Sequence, residues 1–269
     1  MTKTLLITGA TDGIGLETVK MLAAENHRLL IHGRSADKLA AAEAELKRLN
    51  PELVVEAYRA DLSDLAEVEA FAAEVLENHK RIDVLINNAG VFKTPTPRTE
   101  AGLDVRFVVN TLAPYLLTVR LLAAVPSNGR IVNLSSAAQA SVSLEALAGR
   151  KTVGDGGAYA QSKLAITMWS VDLASRLGSK GPVVVAVNPA SLLASKMVKE
   201  GYGVAGKDIR IGADILVRAA LSSEFANATG KYYDNDQGQF APPHPDALDA
   251  RKNRRLVEAI EALLADLGS

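Results

Sequence analysis

Apolar residues fall along the chain in two alternating kinds of run. Short, nearly unbroken stretches of Val, Ile and Leu occupy residues 5–8, 28–32, 53–58, 84–87, 130–134 and 183–188. These predict strands. Longer stretches between them carry apolar residues three and four apart, and predict helices at about 13–25, 36–49, 64–79, 105–124, 158–177 and 245–267. Pro114 predicts a kink or break inside the fourth of these. Residues 139–157, rich in Gly, Ser and Ala, predict a long loop or insertion. Residues 196–208, with Gly201, Gly203 and Gly206, predict a mobile segment with short helical pieces.

Strand and helix in alternation build right-handed βαβ units. Strands that are apolar on every residue, rather than on alternate ones, need cover on both faces. The expected fold is therefore α/β, a Rossmann-type doubly wound parallel sheet in three αβα layers. With no linker or low-complexity stretch, residues 1–269 are expected to form a single domain.

Composition narrows the function classes. Apolar residues make up 48% of the chain, enough for a large core. The formal net charge is -1 and long basic runs are absent, which argues against nucleic acid as a partner. The short cluster Arg251-Lys252-Asn253-Arg254-Arg255 fits a solvated helix face. There is no cysteine, so disulfides, thiolate chemistry and cysteine-based metal sites drop out, and no metal is expected. The sequence from Met1 runs into a strand with no signal-peptide core, and no apolar run suggests a membrane span. A cytoplasmic protein with no membrane partner is expected.

The first strand leads into Thr8-Gly9-Ala10-Thr11-Asp12-Gly13-Ile14-Gly15, which opens the first helix. A dinucleotide pyrophosphate needs a tight turn, close backbone approach and a helix N-terminus whose free N–H groups favour anions. Glycines at 9, 13 and 15 meet those needs. Tyr159 and Lys163 stand four residues apart on one predicted helix face. A lysine charge about 5 Å from a phenol, at an effective dielectric of about 20, favours phenolate by roughly 3 kcal/mol. That brings the phenol toward working pH, against the opposite pull of burial.

Together with Asn87-Asn88-Ala89-Gly90 and Ser135-Ser136, these motifs resemble the classical short-chain dehydrogenase/reductase family over nearly the whole chain. The 135–163 segment and Gly230-Lys231-Tyr232-Tyr233 are similar to its retinol-dehydrogenase-like branch. The resemblance implies a nicotinamide cofactor and hydride transfer at an alcohol or carbonyl carbon. It implies that Gly9, Thr11, Asp12, Gly13, Ile14 and Gly15 cradle the pyrophosphate, that Asp61 and Leu62 meet the adenine, and that Asn87, Ala89 and Gly90 flank the ribose. Asp61 can equally cap a local turn. Catalysis would fall to Asn110, Ser136, Tyr159 and Lys163. Tyr159 would exchange the proton, Ser136 would hold the substrate oxygen, and Lys163 would hold the ribose and lower the Tyr pKa. Asn110 would perturb its helix and complete a proton relay. Ser135 is expected only to cap the strand end.

The second strand ends His32-Gly33-Arg34-Ser35 with no carboxylate to bind a ribose diol. NADP(H) is therefore favoured over NAD(H), with Arg34 on the 2′-phosphate. Arg34 stacked on adenine or facing water is the alternative, and Asp12 weighs against NADP(H), since relatives that use it often carry a basic residue there. Where the family has Pro-Gly and then Thr, this chain has Pro189-Ala190 and Ser195, so Ser195 is the candidate for the carboxamide. Pocket walls are expected from residues 91–94, 137–142, 192 and 196–208, mostly apolar or small, and predict a small or medium, fairly apolar substrate. The membrane anchor of microsomal members is not expected here. Pairing of copies through the helices bearing Asn110 and Tyr159 is implied, although the longer 136–159 interval obstructs one such interface. Reduction of an activated C=C bond, or nucleotide sensing without turnover, remain as alternatives.

Overall fold

The computed structural model describes residues 2–194, 197, 199, 203 and 205–268. Its strands are β1 (Thr4–Ile7), β2 (Arg28–Gly33), β3 (Val54–Arg59), β4 (Val84–Asn87), β5 (Arg130–Leu134), β6 (Val183–Asn188), β7 (Tyr232–Asp234) and β8 (Gln239–Ala241). They form one sheet in the order β3-β2-β1-β4-β5-β6-β7-β8. All neighbours pair in parallel except β7 with β8. The main helices are α1 (Gly13–Leu22), α2 (Ala36–Leu49), α3 (Leu65–Asn78), α4 (Val105–Ala124), α5 (Asp155–Leu177), α6 (Arg210–Leu221) and α7 (Ala250–Leu267).

Alternation along each strand divides the core in two, as period-2 geometry requires. Leu6, Leu30, Leu85, Ile131 and Val184 pack on the α3, α4, α5 and α7 side. Leu5, Ile7, Leu29, Ile31, Val132 and Val185 pack on the α1, α2 and α6 side. This is the expected three-layer Rossmann-type fold. Chain order reverses direction between β1 and β4, and the carboxyl ends of those two strands open the crevice where such sheets take ligands.

Several expectations need correction. Helix α5 starts at Asp155, one turn earlier than expected, because Asp155 sits in its first turn and pairs with buried Arg106 at 2.5 Å. The 139–157 interval contains a short helix, Leu144–Leu147, capped by Ser143. Pro114 does not break α4. The irregularity lies just before it, a π-helical turn at Val108–Leu112, and Pro114 occupies the first turn of the α-helix that follows. Helix α4 is long and apolar enough for a membrane span, contrary to the expectation, but most of it is buried against the sheet and α5. Strands β7 and β8 and helix α6 extend the fold beyond the elements read from the pattern. Part of 196–208 lies outside the described residues, and so does Ser195.

Candidate active site

The turn after β1 begins with Gly9 at φ +66°, a conformation that disfavours a side chain. Gly15, in the first turn of α1, lies so close to this turn that a Cβ would stand 2.1 Å from the Gly9 carbonyl. Asp12 caps α1 by accepting from Gly13 N–H at 2.8 Å. A Cβ on Gly13 would meet nothing nearer than 3.9 Å, so the start of α1 fronts open space there.

Three side chains outside the expected site set hold this turn. Asn88 donates its amide to the carbonyls of Thr8 and Gly9, at 2.9 and 3.1 Å. The Thr8 hydroxyl accepts from Asn88 and Ala89 N–H, both at 3.1 Å. His32 accepts from Gly9 N–H through Nδ1 at 3.3 Å and donates from Nε2 to the Ala60 carbonyl at 3.1 Å. Burial pushes its pKa down to about 4, so the ring is neutral and its tautomer is set. Thr8 and Asn88 belonged to recognised motifs, but only the fold shows that their side chains clamp the turn. His32 carried no signal beyond its place at a strand end.

The turn opens into a cavity of about 700 Å³, within the usual range for small-molecule sites. Gly9, Thr11, Asp12, Gly13 and Ile14 line one end with Arg34, Asp61 and Leu62. Ala89 and Gly90 line its middle, and Ser136, Tyr159 and Lys163 line the other end. Gly15, Asn87 and Asn110 stand behind the wall. Asn87 turns into the sheet and donates to Thr118 and Asn133, at 3.0 and 2.8 Å.

At the first end every charge is matched. Arg34 lies 3.6 Å from Asp61, and Lys38 lies 2.7 Å from Asp12. Lys38, absent from the expected set, comes from the first turn of α2 and so reaches across to α1. Asp61 also accepts from the N–H and hydroxyl of Ser63, at 2.9 and 2.7 Å, and so makes a local turn as well.

At the other end Lys163 is almost wholly buried, and burial lowers its pKa to about 8. Its Nζ donates to the Leu134 carbonyl at 2.7 Å and lies 5.8 Å from the centre of the Tyr159 ring. Phe92 meets that ring edge-on, with centroids 5.0 Å apart. The two serines divide as their strand-end position suggests. Ser135 Oγ is engaged with Thr167 Oγ1 at 2.7 Å and the Lys163 carbonyl at 3.0 Å. Ser136 Oγ accepts from Ala138 N–H at 3.1 Å, at the cavity wall. Asn110 lies within the π turn. It bonds both the N–H and the carbonyl of Val91, at 2.8 and 3.0 Å, and donates to Ser162 Oγ at 3.0 Å.

The donor set fits a dinucleotide: an open helix N-terminus for a pyrophosphate, cations at one end and a buried lysine at the other. The fold and cleft together define a Rossmann-type nucleotide-binding oxidoreductase. A family model for short chain dehydrogenases matches residues 3–202, and the chain belongs to that family. It is 33% identical to human Retinol dehydrogenase 13 over 275 residues, covering 94% of this chain and 82% of that protein, which places it in the retinol-dehydrogenase-like branch. Among solved structures, an uncharacterized protein from Mycobacterium paratuberculosis aligns with TM-score 0.80 and 28% identity, covering 97% of this chain and 92% of that one. A short chain dehydrogenase from Burkholderia cenocepacia, in complex with NADP, aligns with TM-score 0.68 and 26% identity over 86% of this chain and 95% of that one. The protein is an NAD(P)-dependent dehydrogenase/reductase that transfers hydride at CH–OH or C=O groups of a small-molecule substrate.

Proposed function

We propose that the enzyme uses NADP(H) and acts on a carbonyl or alcohol carbon of a small or medium, fairly apolar compound. One observation carries this: a buried lysine beside Tyr159 at one end of a cleft whose other end presents Arg34 and Lys38. When bound, the nicotinamide supplies the hydride for reduction, or accepts it in oxidation. Tyr159 gives its proton to the substrate oxygen, and Ser136 positions that oxygen. Lys163 holds the nicotinamide ribose and, when charged, favours the phenolate of Tyr159. Asn110 holds the Val91 backbone against α5 and completes the relay behind Lys163. Val91, Phe92, Leu192, Leu193 and Met197 line the cavity and support an apolar substrate.

Arg34 and Lys38 favour a 2′-phosphate, and the NADP complex of the Burkholderia relative supports the same preference. In this reading Ser195 stands on the carboxamide, and the whole chain works as one domain in the cytoplasm, with α4 a core helix. The test is Tyr159→Phe. Turnover of a carbonyl panel with NADPH should fall at least about a hundredfold while NADPH binding stays nearly intact. Activity retained in that variant would refute the mechanism.

A further inference from the structure

The loop after β6 contains two non-glycine residues in the left-handed region, Ala190 at φ +100° and Leu192 at φ +56°. Both line the cavity. Each such conformation is strained for a residue with a side chain and persists only where neighbours over-determine it. Here the neighbours come from the turn between β7 and β8. Asp236 accepts from Ser191 N–H at 2.9 and 3.0 Å through its two oxygens, and from Ser191 Oγ at 2.6 Å. It also accepts from Asn188 Nδ2 at 3.0 Å and lies 3.6 Å from Lys207 Nζ. Asn235 donates to the Pro189 carbonyl at 3.1 Å. Beyond the loop, Lys207 N–H donates to the Leu192 carbonyl and Ala194 N–H to the Lys207 carbonyl, both at 2.7 Å. Partial burial pushes the Asp236 pKa up, but the Ser191 and Asn188 donors outweigh it and hold the group ionised below the usual carboxylate range.

We propose that Asp236 is a positioning residue: its carboxylate grips Ser191, and through it holds Ala190 and Leu192 in the strained backbone that shapes the catalytic end of the cleft. Ser191 lies between the two strained residues, so one anchor restrains both. Asp236 is not catalytic. Its consequence for turnover rests on the hydride-transfer function proposed above, whereas the anchor itself does not.

The test compares wild type, Asp236→Ala, Asp236→Asn, Ala190→Gly and the double variant Asp236→Ala/Ala190→Gly. Amide hydrogen exchange over residues 188–194 is read on cofactor-free protein. A hydrogen bond to a charged group is worth about 1.5–3 kcal/mol, so Asp236→Ala should speed exchange there roughly tenfold to a hundredfold. Exchange in β5 should not change. Asp236→Asn keeps the shape and one acceptor oxygen, and should give an intermediate rate. Glycine accepts a positive φ without strain, so adding Ala190→Gly to Asp236→Ala should restore protection severalfold. With NADPH and benzaldehyde as probe, Asp236→Ala should raise KM for the aldehyde severalfold more than it lowers kcat, and the glycine should reverse that rise. Unchanged exchange in Asp236→Ala, or faster exchange that the glycine does not reverse, overturns the anchor. Wild type that neither binds NADPH nor turns over carbonyls refutes the hydride-transfer function, and the exchange result still decides the anchor.

Discussion

His32 uses both ring nitrogens, one on the coenzyme turn and one on the Ala60 carbonyl just after β3, and it can do so only while neutral. Its folded pKa of about 4 lies below the ordinary 6.5, so the unfolded chain binds the proton first as pH falls. Its contribution is therefore fully present above pH 6.5 and is lost between 6.5 and about 4. Between pH 7 and pH 5 this amounts to about 2 kcal/mol. Thermal melts at the two pH values should show a smaller acid loss for His32→Asn than for wild type, by roughly 3–4 °C. The paired charges at the adenosine end make a second prediction at this scale. Arg34→Ala should weaken NADPH binding about tenfold to a hundredfold, Lys38→Ala less, and neither should much alter NADH binding, as titration by fluorescence would measure. Arg34 was legible in the sequence because a strand end is a known place for it. Lys38 was not, because its value depends on α2 and α1 facing each other.

Among the elements, α4 departs furthest from regular geometry. Within the π turn, Ala113 N–H bonds the Val108 carbonyl instead of that of Val109. Pro114 has no N–H to offer Asn110 in the α register. The turn therefore sits where a proline follows a buried Asn whose side chain is committed to Val91. Asn110→Ala should leave the Val91 N–H and carbonyl poorly satisfied, costing about 2 kcal/mol in denaturant unfolding. An unchanged midpoint would remove the structural part of its role. The sequence pointed to a distortion in this helix twice, as a break at Pro114 and as a perturbation at Asn110, and the π turn at Val108–Leu112 lies at the second. Strands β7 and β8 have three residues each, too short for period-2 alternation to register. Helix α6 does bury Ile215, Leu216, Ala219 and Ala220 in a helical pattern, but it follows a glycine-rich segment that obscured its start.

For the whole molecule, the cleft crosses the meeting line of two half-sheets, with β1 and β4 at its centre. A ligand there touches residues from position 9 to position 197, so its binding free energy should appear as global stability. At a hundred times its dissociation constant, NADPH should add about 2.7 kcal/mol and raise the melting temperature by several degrees. At equal concentration NADH should raise it less. Equal shifts from the two coenzymes would contradict the proposed preference for NADP(H).

The residue pattern by itself determined the strand–helix alternation, the first six strands and the order of the coenzyme and Tyr159/Lys163 motifs. Those depend on periodicity and on spacing within single elements, which are local properties. The tertiary structure alone decided what depends on distant segments meeting: His32, Asn88 and Thr8 clamping the glycine turn, the Lys38–Asp12 pair and the hold of Asp236 on Ser191. Contacts across 23 to 80 residues of chain leave no period in the sequence. They come into being only when the parallel sheet brings the carboxyl ends of its strands to one edge.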